Sequence, residues 1–159
     1  MTEIISDPHF TTLGAATSKW ALISHHGVVM TPSVENSVLR LDLAKTSRAN
    51  WHGELRYSPF PVAVGDLFTV SFSARSKHPF TFSVWLGQQD SPHQSLVSEE
   101  NHFGEKMMTS DWQTFTHNWK PVLNEKAARL NFVLGQIDNS IEIKDVSLKK
   151  QSESTARSG

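Results

Sequence analysis

In the stretch FTFSVWLGQ, residues 80–88, Phe80, Phe82, Val84 and Leu86 share one face of an extended strand, and Thr81, Ser83 and Trp85 share the other. A strand with one buried face turns polar groups outward, so Trp85 is a large apolar ring on a polar side. Two further runs carry short, neutral outer faces: Thr69, Ser71, Ser73 and Arg75 in one, and Asn131, Val133 and Gly135 in the other. If these strands are neighbours, they form a smooth polar trough from which Trp85 and Arg75 project. Sugars suit such a surface, because their hydroxyls exchange hydrogen bonds with Asn, Gln, Ser and Arg while the C–H face of the ring lies on an aromatic plane. The alternative placement buries Trp85 under a loop, where it closes a second small core.

Other chemistry-bearing groups read more plainly. His25 and His26 in SHHG are adjacent, and adjacent side chains in a strand point to opposite faces, which suits chelation poorly; a turn is expected. Glu99, Glu100, His102 and Glu105 in SEENHFGE bring acid and imidazole groups close in sequence. Acid–base work needs such groups to converge on a pocket, and a solvated loop is the expectation. His117, between Phe115 and Trp119, is expected as a hydrogen-bonded core histidine. Trp20 and Trp119 are expected in the core, and Tyr57, Pro59 and Pro61 in strand-end packing.

The elements that must position these residues have period two. Alternating runs fall at 37–43, 67–75, 80–88, 112–119, 128–135 and 140–148. The last shifts phase between Ile143 and Val146, as a β-bulge at Lys144–Asp145 would produce. Turn signals separate the runs at 64–66, 76–79, 88–93, 123–126 and 135–139. Only 99–108 has the makings of a short helix. Many short strands with turns at this spacing predict an all-β, antiparallel β-sandwich jelly roll as one domain over 1–150, followed by a small polar tail at 151–159.

Composition narrows the classes. The 159 residues carry 15 basic and 16 acidic side chains, with a net charge of -1 and no long basic run, so a nucleic-acid or anionic-membrane surface is not expected. There is no cysteine, which removes disulfides, thiolate metal sites and Cys nucleophiles. MTEIISDPHF lacks a basic segment followed by an apolar one, so no secretory signal is present as written; the expectation is a cytoplasmic chain unless it is excised from a secreted one.

Taken in order, WHGELRYSPFPVAVGDLFTVSFSARSKHPFTFSVWLGQ, DWQTFTHNW, ARLNFVLGQ and IEIKDVSL resemble the carbohydrate-binding modules of the family 4/9/22 type, galactose-binding-like jelly rolls, over about residues 5 to 149. The resemblance implies a jelly roll whose concave sheet forms a cleft for an oligosaccharide or polysaccharide. Carried over, Trp51 matches the cleft Trp that opens its strand, and Glu54 a polar cleft position. Trp85 falls before the L-G-Q that faces the cleft, and Gln88 is the Gln of that motif. His93 takes a loop position where the family often has an aromatic, and Gln136 sits at the rim. With Asn131 and Arg75 these would bind glycan without chemistry, and no catalytic residue is assigned.

The family often holds a structural calcium through carboxylates near both chain ends. Here Asp7, Pro8, His9, Phe10 and Thr11 replace the expected ligands, and Lys144 replaces the first of two acids. Asp145 alone remains, with Glu35 or Asp42 as potential help, so no metal or other cofactor is expected. The runner-up is a lyase- or cyclase-type enzyme using Glu54 and His93 in the same cleft; glycoside hydrolysis needs two facing carboxyl groups, and Glu54 is the only one placed there. A third reading is an interaction domain, whose cleft would take a peptide or protein partner. A glycan-binding module would itself accompany a catalytic domain or protein partner.

Overall fold

The structure is a computed structural model that describes residues 2–47 and 49–151. The strands are β1 (Thr2–Glu3), β2 (Trp20–Ser24), β3 (Val29–Glu35), β4 (Val38–Ala44), β5 (Gly53–Val62), β6 (Leu67–Ser76), β7 (Phe80–Gln88), β8 (Lys106–Met108), β9 (Gln113–Trp119), β10 (Glu125–Val133) and β11 (Asn139–Gln151). They form two antiparallel sheets: a front sheet in the order β2-β5-β10-β7-β8, and a back sheet in the order β3-β4-β11-β6-β9, with β1 also on β11. This is the β-sandwich jelly roll that the period-two patterning predicts. Among the described residues no helix is long and apolar enough to cross a membrane.

The alternation explains each sheet's inner face. In β6, Phe68, Val70, Phe72 and Ala74 are buried; in β7, Phe80, Phe82, Val84 and Leu86 are. Phe72 reaches across the sandwich, with ring centroids 5.0 Å from Phe132 and 6.0 Å from Phe82, both edge-on. Edge-to-face pairs add to the burial of each ring, and each fully buried Phe contributes about 1.5–3 kcal/mol by area alone. Trp20 and Trp119 are buried at 3% and 0% exposure, as expected of core residues. Tyr57 is also fully buried, its hydroxyl donating to the Ile4 carbonyl at 3.2 Å. His117 is half-buried, with Nε2 2.8 Å from the Asn101 carbonyl oxygen.

β11 carries the expected bulge: its register against β6 shifts between Lys144 and Ser147, and Asp145 adopts φ 55°. The extra residue returns Val146 and Leu148 to the core after Ile141 and Ile143.

Three expectations are corrected. The 99–108 stretch forms only a single 3-10 turn, Glu99–Asn101, which ends where His102 turns extended, and then β8. Trp51 precedes its strand in a 3-10 turn, Asn50–His52. β6 is not a neighbour of β7 or β10: residues 77–79 carry the chain from one sheet to the other. The Thr69-Ser71-Ser73-Arg75 face therefore lies on the opposite side of the molecule from Trp85. Of the expected tail, Gln151 ends β11 and residues 152–159 lie outside the described residues.

Candidate functional site

The outer face of the front sheet is built from alternate residues of three central strands. Asn131 of β10 sits between Arg56 of β5 and Trp85 of β7, Val133 sits between Glu54 and Ser83, and Arg129 lies opposite Gly87. Adjacent strands run about 4.8 Å apart, so these side chains form one continuous floor. Trp51, His93 and Ser95 join it from loops, enclosing a cleft of about 280 Å³. Trp51 and Trp85 are 49% and 36% exposed, while Glu54 and Asn131 are buried at 3% and 2%. Two open aromatic faces thus accompany a buried polar floor.

The floor is a hydrogen-bonded network. Arg56 Nε donates to Glu54 Oε2 at 2.9 Å, and Arg56 Nη2 donates to the same oxygen. Asn131 Nδ2 donates to Glu54 Oε1 at 3.1 Å. Both carboxylate oxygens are therefore claimed. Since the Asn131 amide nitrogen is committed, its Oδ1 is the atom left over, and it is buried without a partner. Nε and Nη1 of Arg129 are likewise buried and unpaired. Burial, and then the like charge of Arg56, push the Arg129 guanidinium below its ordinary pKa against the pull of Glu54. Buried polar atoms without partners are uncommon in folded proteins, and here they gather on β10.

The two tryptophans are braced differently. Trp85 meets the edge of His102, with ring centroids 4.6 Å apart at 65°, and His102 Nε2 lies 3.3 Å from Ser95 Oγ. Trp51 is packed by His52 at 4.1 Å and His25 at 5.4 Å. His26 stands 4.2 Å from His52, in the turn where His26 adopts φ 54°. Burial and the neighbouring His26 and His25 lower the His52 pKa.

Of the residues singled out from sequence, Trp51, Glu54, Trp85, His93 and Asn131 line one cleft. Gln88 is adjacent but spent: its amide donates to Glu125 Oε2 at 3.1 Å and accepts from the Gln94 backbone N–H at 3.0 Å, which fixes the loop carrying His93. Gly87 lets this loop close down, since a Cβ there would stand 3.3 Å from the Gln94 carbonyl oxygen. Gln136 is exposed in the turn between β10 and β11, outside the cleft lining. Arg75 is on the back sheet, donating from Nε to Glu142 Oε1 at 2.9 Å and lying 4.5 Å over the Trp112 ring. Ser83 is capped by the Gly104 carbonyl at 2.7 Å, which shortens the floor at that end. Arg129 and Ser95 were not anticipated, and His102, expected in a solvated loop, is half-buried against Trp85. Arg129 alone had a signal, two residues before Asn131 on the same strand face.

The calcium ligands do not fit. Both Asp7 oxygens are filled by Thr11 and Thr12: Oδ1 accepts from the Thr11 N–H at 2.9 Å and its hydroxyl at 2.8 Å, and Oδ2 accepts from the Thr12 N–H at 2.9 Å and its hydroxyl at 2.6 Å. Asp42 Oδ1 is held by Ser140 and Arg40. Among the described residues no three acidic or imidazole side chains gather as metal ligands, and Asp145 stands at the exposed bulge. A separate groove of about 460 Å³ runs between the edge strands β2 and β3; its lining is largely apolar, including Leu13, Leu22, Pro32 and Val34, and it brings no charged group together.

No family model matches the sequence. No curated protein matches it either. Solved structures do match in fold. A family 4 carbohydrate-binding module superposes with a TM-score of 0.76 at 21% identity, over 86% of this chain and 90% of that one. The second N-terminal cellulose-binding domain of Cellulomonas fimi β-1,4-glucanase C gives 0.67 at 20% identity, over 95% and 99%. The CBM22-1 xylan-binding domain of Paenibacillus barcinonensis Xyn10C gives 0.56 at 11%, over 84% and 86%. The chain has the fold of these carbohydrate-binding domains, over nearly their whole lengths.

Proposed function

We propose that the front-sheet cleft binds an oligosaccharide or polysaccharide without altering it. The observation that carries this reading is the pair of exposed rings, Trp51 and Trp85, set against a polar floor of buried Glu54 and Asn131 with half-buried Arg129, Arg56 pairing with Glu54 beside it. Pyranose rings have the matching amphipathic shape, with C–H faces for the tryptophans and hydroxyls for the floor. Asn131 Oδ1 accepts a hydroxyl, and Trp85 is the stacking platform. The fold shared with cellulose- and xylan-binding domains supports the assignment. Each sugar hydroxyl exchanges a water bond for a protein bond at a net gain of about 0.5–1.5 kcal/mol, so affinity grows with chain length until the cleft is filled. The binding reading is favoured over the enzymatic one because Glu54 is the one carboxylate in the cleft lining and is already paired with Arg56 and Asn131. A catalytic domain or protein partner acting alongside this domain is part of this proposal.

Intrinsic fluorescence tests this. Trp20 and Trp119 are buried and Trp112 lies under Arg75, so a ligand in the cleft reports through Trp51 and Trp85. Titration with cello-, xylo- and manno-oligosaccharides and with acidic oligosaccharides is expected to give saturable quenching or a blue shift with at least one of them. Trp85→Ala is expected to weaken that binding by about tenfold or more, roughly 1.4 kcal/mol. Unchanged binding by a folded Trp85→Ala protein would overturn the assignment.

A further inference from the structure

Arg129 adds a charge that the floor does not balance. The ion pairs among the described residues are Arg40–Asp42, Arg56–Glu54 and Arg75–Glu142, and Arg129 belongs to none of them. Glu54 is the carboxylate of the cleft lining, and Arg56 and Asn131 hold both of its oxygens. Glu54 and Arg56 cancel, so the floor keeps one net positive charge on Arg129, with His93 at the rim as a further imidazole. The Nε and Nη1 atoms of Arg129 lack acceptors.

Resting on the glycan reading above, we propose that the cleft selects sugars that carry a carboxylate, with Arg129 as its receptor. A neutral hydroxyl supplies one acceptor lone pair at a time and leaves the guanidinium charge unmatched. A uronate carboxylate presents two coplanar oxygens that fit the planar guanidinium fork and form charge-assisted hydrogen bonds about twice as strong as neutral ones. Arg129 and Asn131 are two residues apart on one strand face, about 6.6 Å. Both residues line the cleft, but the unpaired atoms lie just beneath its surface, so one uronate residue draws the Arg129 guanidinium out to its carboxylate and sets a hydroxyl over Asn131, while a neighbouring ring stacks on Trp85. The exposed tryptophans keep the ligand a sugar chain and not a simple anion.

The test compares oligogalacturonate, its methyl ester, oligomannuronate and glucuronoxylan fragments with cello-, xylo- and mannohexaose, by calorimetry or tryptophan fluorescence. At least one uronate is expected to bind about tenfold or more tighter than the neutral ligands in about 20 mM NaCl, and that preference should shrink as salt rises to about 0.5 M. Where oligogalacturonate is the one that binds, methyl esterification abolishes the gain. Arg129→Gln removes the preference and the salt dependence, and weakens uronate binding by a larger factor than neutral-sugar binding. Arg129→Lys, which keeps the charge without the fork, retains the salt dependence and only part of the preference, and it serves if the Gln variant does not fold. Neutral oligosaccharides binding as tightly as every uronate would overturn this inference and leave the glycan reading standing. Silence toward all the sugars would overturn both, and an acidic peptide competing as well as the uronate would overturn the sugar assignment.

Discussion

The side-chain amide of Asn131 donates to Glu54 Oε1 at 3.1 Å, and both residues lie buried beneath the cleft at 2% and 3% exposure. That bond fixes the amide's orientation: a flipped Asn131 would set two acceptors face to face. It therefore aims an unpaired carbonyl oxygen away from Glu54 and makes the floor an acceptor beside the donor Arg129.

Asn131→Ala breaks both functions at once. It leaves Glu54 Oε1 buried without a donor, so stability should fall by about 1–3 kcal/mol, read from denaturant midpoints. Glycan affinity should fall as well. Asn131→Asp should be worse for folding, because it puts a second carboxylate against Glu54. Equal stability of wild type and Asn131→Ala would show that the pair does not form.

His102 acts through Trp85, 4.6 Å away, and not on a ligand directly. His102→Ala should keep the fold, weaken glycan binding less than Trp85→Ala, and shift the emission of Trp85. His102→Phe, which keeps an edge against the indole, should restore most of the affinity. Failure of the Phe variant to rescue would remove the bracing role.

Acid stability should depend on Asp7. Partial burial raises its pKa, but the hydrogen bonds from Thr12 and Thr11 outweigh this and bring it down to about 2. A carboxylate depressed in the folded state stabilises the protein fully above its unfolded value, about 3.9, and loses that contribution as pH falls through about 2. Asp7→Asn should therefore melt lower than wild type at pH 7, with the gap closing as pH drops through this window. A gap that stays constant with pH would contradict the assignment.

The strands were legible because one face of each is buried, and period two reports burial directly. Phe68, Val70, Phe72 and Ala74 could be read inward without knowing what they faced. The same pattern is silent on sheet membership. β6 and β7 are consecutive and similarly patterned, yet they belong to opposite sheets, so Arg75 could not be placed beside Trp85 from alternation alone. Trp85 and Asn131, on regular strands, follow from face and order; Glu54 follows only from the family resemblance, because β5 shows no clean alternation. Gln88 has the right motif position, but a loop contact with Gln94 and a cross-strand contact with Glu125 consume its side chain, and no local pattern encodes either. β2, β3 and the short β8 escaped because their outward residues are mixed and their inward ones few.

The most direct test of the account is where a bound glycan lands. Heteronuclear NMR with the tightest-binding oligosaccharide should perturb the indole N–H signals of Trp51 and Trp85, the Asn131 side-chain amide and the backbone of β7 and β10. Thr69, Ser71, Ser73 and the Trp112 indole on the back sheet should stay unmoved. Shifts confined to the back sheet, or to the apolar groove between β2 and β3, would contradict the front-sheet cleft as the binding site.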